Sequence, residues 1–230
     1  MEKKDITLYY WKLRGLGCPV ASLLEYLNVP YNHVKYISGE GKWKSAKEKH
    51  IQEGFLNPNL PYINDKSADL NLSETFAVLY YLADKYNNEL TPKTSKEITN
   101  FLMIKGMIQD YNNAITKTTY NSKTQEELKA KLVSKMEYSM AKTIYFRETL
   151  KKQTYITGGT LSVLDFYLSE LLEKLIYMQK ELETSFVDED TLDVYKAYVG
   201  RFNALEAIRK YRNSNRFEER PFNNTRACWK

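Results

Sequence analysis

In ITLYYW, residues 6–11, side chains alternate from face to face and are rich in β-branched and aromatic types, the pattern of a strand. After the loop KLRGLGC the period changes. Val20, Leu23, Leu24 and Leu27 of PVASLLEYL recur at helical spacing, and Pro19 suits a first turn, where a missing N–H costs nothing. NHVKYI reads as a second strand. NLPYIND reads as a short third, its Asn-Asp opening a turn. SETFAVLYYLADKY reads as a helix with Ser73 at its N-cap. With one further short strand before that helix, the order β-α-β-β-(β)-α predicts a small α/β domain on a mixed sheet over residues 1–86.

The polar NNELTPKTS, with Pro92 inside it, marks a linker at 87–94. Beyond it the strand period does not return. Ile98, Phe101, Leu102, Ile108 and Ile115 follow a period near 3.6, and Leu128, Leu132, Met136, Met140 and Ile144 repeat it across 124–150. TGGTLSVLDFYLSELLEKLIYM predicts a third helix, and TLDVYKAYVGRFNALEAIRKYRNS one or two more. Residues 95–230 are therefore expected to form an all-α domain of about five helices.

Composition narrows the function classes. The chain has 34 basic and 29 acidic residues, a net charge of +5 spread along its length, where a nucleic-acid binder concentrates basic residues on one face. Two cysteines, Cys18 and Cys228, do not make a disulfide framework and favour a reducing compartment. His33 and His50 are far apart, so a Cys/His zinc site is not expected. The N-terminus MEKKDITLYYW lacks the apolar region of a signal peptide, and no run of 18 apolar residues predicts a membrane span. A cytoplasmic protein is the expectation.

Several short motifs bear on structure or chemistry. Ser162 and Asp165 in LSVLD have capping-box spacing, a structural signal. Pro61 directly precedes a strand, where its missing N–H is harmless. A cis Leu60–Pro61 bond would turn the Leu60 peptide groups outward toward an extended ligand; an ordinary trans loop is the plainer reading. Glu74 and Thr75 open a helix, where backbone N–H groups favour an anion and Glu74 would take an ammonium; capping explains them equally well. Cys18 lies near a helix N-terminus, which lowers a thiol pKa, but Ala21 stands where a redox pair would have its second cysteine. Tyr10 ends the first strand, where its hydroxyl is able to donate into a cleft; with 19 tyrosines in the chain, simple packing is the competing reading.

Taken in order, YYWKLRGL, LLEYL, KWKSAK, NPNLPYI, AVLYYLADKY, GGTLSVLDF and YVGRFNALEAIRKYRNSNRF give the chain a family likeness. It resembles cytosolic glutathione transferases, most of all the mu class and the related flatworm enzymes. The resemblance implies a thioredoxin-like N-terminal domain, an all-helical C-terminal domain, a homodimer, and detoxifying conjugation of glutathione to hydrophobic electrophiles. Glutathione would be a co-substrate, with no further cofactor, no metal, no nucleic acid and no membrane. By position Tyr10 matches the catalytic tyrosine. Trp11 and Leu16 would line the glutathione site, and Trp43 and Lys47 would hold its glycine carboxylate. Asn59 and Leu60 would pair with its cysteinyl backbone, which makes a cis Pro61 the expectation. Glu74 and Thr75 would bind the γ-glutamyl end, with Asp110 reaching it from the neighbouring subunit, and Tyr120 would face an electrophile lying between the domains.

The chain departs from the family in three places. It carries three extra residues between Lys47 and Pro61, so Lys49 or His50 is able to replace Lys47. Asn57 stands where the mu dimer has an aromatic key. Thr75 replaces a serine. Two other activities use the same fold: a thioltransferase with Cys18 as nucleophile, and a non-catalytic carrier or structural protein. The joint presence of Tyr10, Asn59, Leu60, Glu74 and Asp110 argues for the transferase.

Overall fold

The computed structural model describes residues 4–230. The reading of the N-terminus as lacking a leader rests partly on residues 1–3, which lie outside the described residues. By packing the chain divides into two compact units, residues 1–88 with 206–224, and residues 89–205 with 225–230.

The first unit contains β1 (Ile6–Trp11), α1 (Gly17–Tyr26), β2 (Tyr31–Tyr36), α2 (Lys42–Gln52), β3 (Tyr62–Asp65), β4 (Leu70–Ser73) and α3 (Thr75–Tyr86). The strand order is β2-β1-β3-β4, with β2 parallel to β1 and the other two pairings antiparallel. Ile6 and Leu8 of β1 and Ile63 of β3 point to one face and are fully buried with Val20, Leu23 and Leu24 of α1 and Val78, Leu79 and Leu82 of α3. Burying such side chains contributes about 1.5–3 kcal/mol each. The opposite face presents Tyr9 and Tyr62, stacked at 4.3 Å across the β1–β3 pair.

The β3–β4 turn is tied to α3 through Asp65. This fully buried carboxylate accepts from Tyr81 Oη at 2.7 Å, from the Ser67 hydroxyl at 2.7 Å and from the Lys85 ammonium. Burial alone would raise its pKa. The bonds from Lys85, Ser67 and Tyr81 outweigh that and hold it at about 2.

The second unit contains α4 (Ser95–Asn121), α5 (Gln125–Tyr138), α6 (Met140–Lys152), α7 (Val163–Glu181) and α8 (Glu189–Ala204). Thr94 and Glu97 close a capping box on α4, and Thr124 and Asp188 cap α5 and α8. α7 is buried on nearly every side, including Glu170, Glu173 and Lys174, and burial lowers the Lys174 pKa to about 8 against the opposing pull of Glu170. The expected box on α7 forms. Asp165 Oδ2 accepts the Ser162 N–H and hydroxyl at 2.9 and 2.8 Å; Oδ1 accepts the Ile156 N–H at 2.9 Å and the Tyr198 hydroxyl at 2.7 Å. The last helix, α9 (Glu206–Arg212), packs on α1 in the first unit.

Four sequence expectations need correction. Ser73 is not the cap of α3: it ends β4 and its hydroxyl donates to the Asn57 carbonyl at 2.7 Å, leaving Glu74 at the N-cap. The segment 124–150 is two helices, interrupted at Ser139, and Met140 and Ile144 are exposed. On α4 the core face is Phe101, Ile104, Ile108, Tyr111 and Ile115; Ile98 and Leu102 lie off it. Helix α2 was not anticipated at all, because none of its residues is fully buried.

Candidate active site

Tyr10 lies on the buried face of β1 and is 6% exposed. The chain then turns back through Arg14–Gly15–Leu16, and the Leu16 N–H donates to the Tyr10 hydroxyl oxygen at 2.8 Å. Gly15, at φ +40°, would place a Cβ 2.5 Å from that oxygen, and Gly17 would place one 2.3 Å from the ring. Both contacts are too close for any side chain. The G-x-G of KLRGLG is therefore a fitted cradle for Tyr10. Sequence reasoning noted the glycines but gave them no role.

Trp11 ends β1, half-buried, with its ring 6.4 Å from Tyr36. Across the outer sheet face lies α2. Trp43 sits 5.5 Å from Tyr36 and 6.0 Å from Tyr62, ring to ring. His50 Nε2 lies 2.6 Å from Tyr62 Oη, and Phe55 closes the cluster 5.7 Å from Tyr62. The interposed residues thus have a structural use. His50 is committed to Tyr62, and Lys49 pairs with Glu53 at 3.6 Å. Lys47, one turn after Trp43, is exposed.

At the start of β3 the Leu60–Pro61 bond is cis, as the resemblance implied; Arg220–Pro221 is cis as well. The Leu60 N–H is taken by the Asn59 side-chain oxygen at 3.0 Å, and Asn59 Nδ2 donates to Glu74 Oε1 at 3.4 Å. Glu74 itself is exposed and held at φ +73°, ψ 114°, a backbone region that disfavours any side chain. Thr75 follows, buried in the first turn of α3. Asn59, Leu60, Glu74 and Thr75 are thus gathered at the junction of the β3 entry with the α3 N-terminus, where peptide dipoles favour an anion.

Asp110 and Tyr120 belong to the helical unit, both on α4. Asp110 is exposed and 3.5 Å from Lys142 Nζ; Tyr120 is half-buried. Cys18 is 9% exposed, its sulfur 3.9 Å from Ser22 Oγ, so it is packed as a small apolar group. His33 is held neutral: burial, assisted by Lys35 and opposed by Glu218, lowers its pKa to about 4. Among the described residues no His/Cys/Asp/Glu group has the arrangement of a metal site, and no helix is long and apolar enough to cross a membrane.

Residues 6–84 match the glutathione S-transferase N-terminal domain and residues 109–215 the C-terminal domain. The chain is 30% identical to mouse glutathione S-transferase Mu 5, covering 100% of this chain and 97% of that protein. It is 32% identical to the class-mu 26 kDa isozyme of Schistosoma japonicum, over 91% of this chain and 89% of that one. In fold it resembles a C. elegans-specific glutathione transferase (TM-score 0.75, 18% identity, 95% and 100% coverage) and the transferase Blo t 8 (TM-score 0.72, 23% identity, 96% and 98% coverage). The chain belongs to the glutathione S-transferase family, and the two mu-class relatives named cover 100% and 91% of it. Its activity is that of the family, conjugation of glutathione to electrophiles.

Proposed function

We propose that Tyr10 is the group that activates glutathione, by donating its hydroxyl hydrogen bond to the thiolate. One observation carries this reading: Tyr10 is buried at the end of β1 under a glycine cradle, with its hydroxyl oxygen held in place by the Leu16 amide. A free thiol has a pKa near 8.5, and lowering it by roughly two units takes about 2.7 kcal/mol. One hydrogen bond to a charged acceptor contributes about 1.5–3 kcal/mol, so a single tyrosine suffices. The thiol proton passes to solvent; the thiolate sulfur then forms a C–S bond at the electrophilic carbon as a leaving group departs with its electron pair, or as a conjugated π bond opens and takes a proton from solvent, and positioning of the two reactants supplies the remaining acceleration.

Glutathione lies, in this reading, along three stations. Trp43 and Lys47 take the glycine carboxylate, with Trp11 and Leu16 lining the pocket. Asn59 and Leu60 pair with the cysteinyl backbone, which requires the Leu60 N–H to exchange its Asn59 partner for the ligand. Glu74 and Thr75 take the γ-glutamyl end, Glu74 accepting the ammonium and the α3 N-terminus the carboxylate. The strained Glu74 backbone supports a functional position there, since such strain clusters at ligand sites. Tyr120 faces the electrophile. Two copies of the chain pair, with Asp110 completing the γ-glutamyl station of the partner copy; the exposed Ile98, Leu102 and Met103 of α4 supply apolar surface for that pairing. The enzyme acts in the cytoplasm, in detoxification, with no cofactor beyond its co-substrate.

The test is a pH titration of thiolate absorbance for bound glutathione in wild type and Tyr10→Phe. The wild type is expected to ionise well below the free thiol and the variant near it. Equal values in both would remove Tyr10 from the mechanism.

A further inference from the structure

The segment 213–224 is fastened to the first unit at three points. Arg216 meets Glu25 of α1 with both nitrogens, Nη1 to Oε1 and Nη2 to Oε2 at 2.7 Å each. Glu218 pairs with Lys35 of β2 at 2.8 Å. The Pro221 carbonyl accepts the Arg14 N–H at 2.9 Å. The Arg14 guanidinium, 1% exposed, lies 4.2 Å from the Phe222 ring centre and 5.2 Å from that of Phe217. The residue gripped in this way begins the Arg14–Gly15–Leu16 turn that aims an N–H at Tyr10.

We infer that Arg14 is a positioning residue for Tyr10, and that the segment 213–224, by gripping Arg14, sets how well Tyr10 stabilises the glutathione thiolate. The inference rests on the reading of Tyr10 given above. Gly15 brings no side chain to the turn and has wide conformational freedom, so the turn draws little rigidity from its own sequence. A guanidinium held out of water over two rings, with its own amide bonded to the same segment, supplies that rigidity. The N–H donated into the phenol oxygen polarises the O–H and makes it a stronger donor, because linked hydrogen bonds reinforce one another. Loosening the turn weakens that donor without removing it.

The experiment titrates bound glutathione in Tyr10→Phe, Arg14→Lys, Phe222→Leu, Arg216→Gln and the double variant Tyr10→Phe/Phe222→Leu. Arg14→Lys keeps the charge and loses the planar stack. Arg14→Lys and Phe222→Leu are expected to raise the thiol pKa by about half to one unit, cutting thiolate below that pKa about three- to tenfold. Binding of S-methylglutathione, which has no thiol to ionise, should change less than about twofold, since general damage would weaken both. The double variant should match Tyr10→Phe alone, as expected of residues acting through one group. Arg216→Gln, at an exposed anchor, should shift the thiol the same way by less, and it decides the matter if the buried variants do not fold. Unshifted thiols in folded variants, or additive shifts in the double variant, overturn the inference. An unshifted Tyr10→Phe would instead overturn the reading of Tyr10.

Discussion

At the scale of single residues, the role proposed for Tyr10 turns on how closely backbone approaches its ring. Gly17 stands at the start of α1 with the place of its Cβ 2.3–2.9 Å from Tyr10 atoms, including the Tyr10 Cβ, which has no freedom to withdraw. Gly17→Ala should therefore displace Tyr10 bodily. An overpacking cost of about 1–3 kcal/mol is expected, with a fall in kcat/KM on the order of a hundredfold and a smaller change in glutathione binding. Steady-state kinetics beside thermal denaturation would separate these; unchanged kcat/KM would show the ring able to move aside. Tyr10 was legible as a tyrosine at a strand end beside a loop. Its cradle was not, because a close approach of two backbones leaves only glycines in the sequence, and glycines occur in any loop. His50 was legible only as a spare ligand; the partner that claims it, Tyr62, lies on another element.

At the scale of elements, the strands and long helices follow from period, and the misses have physical causes. α2 has Trp43, Ala46 and His50 at helical spacing as its half-buried positions, and only one of them is a large apolar residue, so no stripe shows. The break at Ser139 has neither glycine nor proline to mark it. The cap of α3 was misplaced by one residue because Ser73, a good capping type, is used by the Asn57 carbonyl instead. The Asp65 tie between the β3–β4 turn and α3 makes a prediction about acid. Its folded pKa of about 2 lies below the unfolded carboxylate value, so its stabilisation is fully present above about pH 4. It is lost as pH falls through about 2. The amount is on the order of 2 kcal/mol. Denaturant midpoints at pH 7, 4 and 2 should show Asp65→Asn less stable than wild type at the first two and converging with it at the last. A gap that persists at pH 2 would mean the tie is not electrostatic.

At the scale of the whole molecule, sequence order and packing diverge. Residues 206–224 follow the helices of the second unit and pack on the first, and nothing in a helix's period says which core it will join. Pairing of copies is the other whole-molecule question. Sedimentation is expected to give twice the chain mass, and Asp110→Asn to raise the glutathione KM several-fold with kcat at saturation little changed, an effect of about 1 kcal/mol for one exposed charge pair. A monomer of full activity would remove Asp110 from the site. The unusual backbone of Glu74 has a consequence for selection. A non-glycine residue there costs about 1–3 kcal/mol, and glycine would give back less than that through its looser unfolded chain. Glu74→Gly should therefore melt later than the parent while binding glutathione worse. If Glu74 takes the γ-glutamyl ammonium as proposed, a laboratory lineage bred for heat tolerance alone would drift toward glycine at this position and lose its co-substrate on the way, and position 74 would be where durability and catalysis pull the sequence in opposite directions.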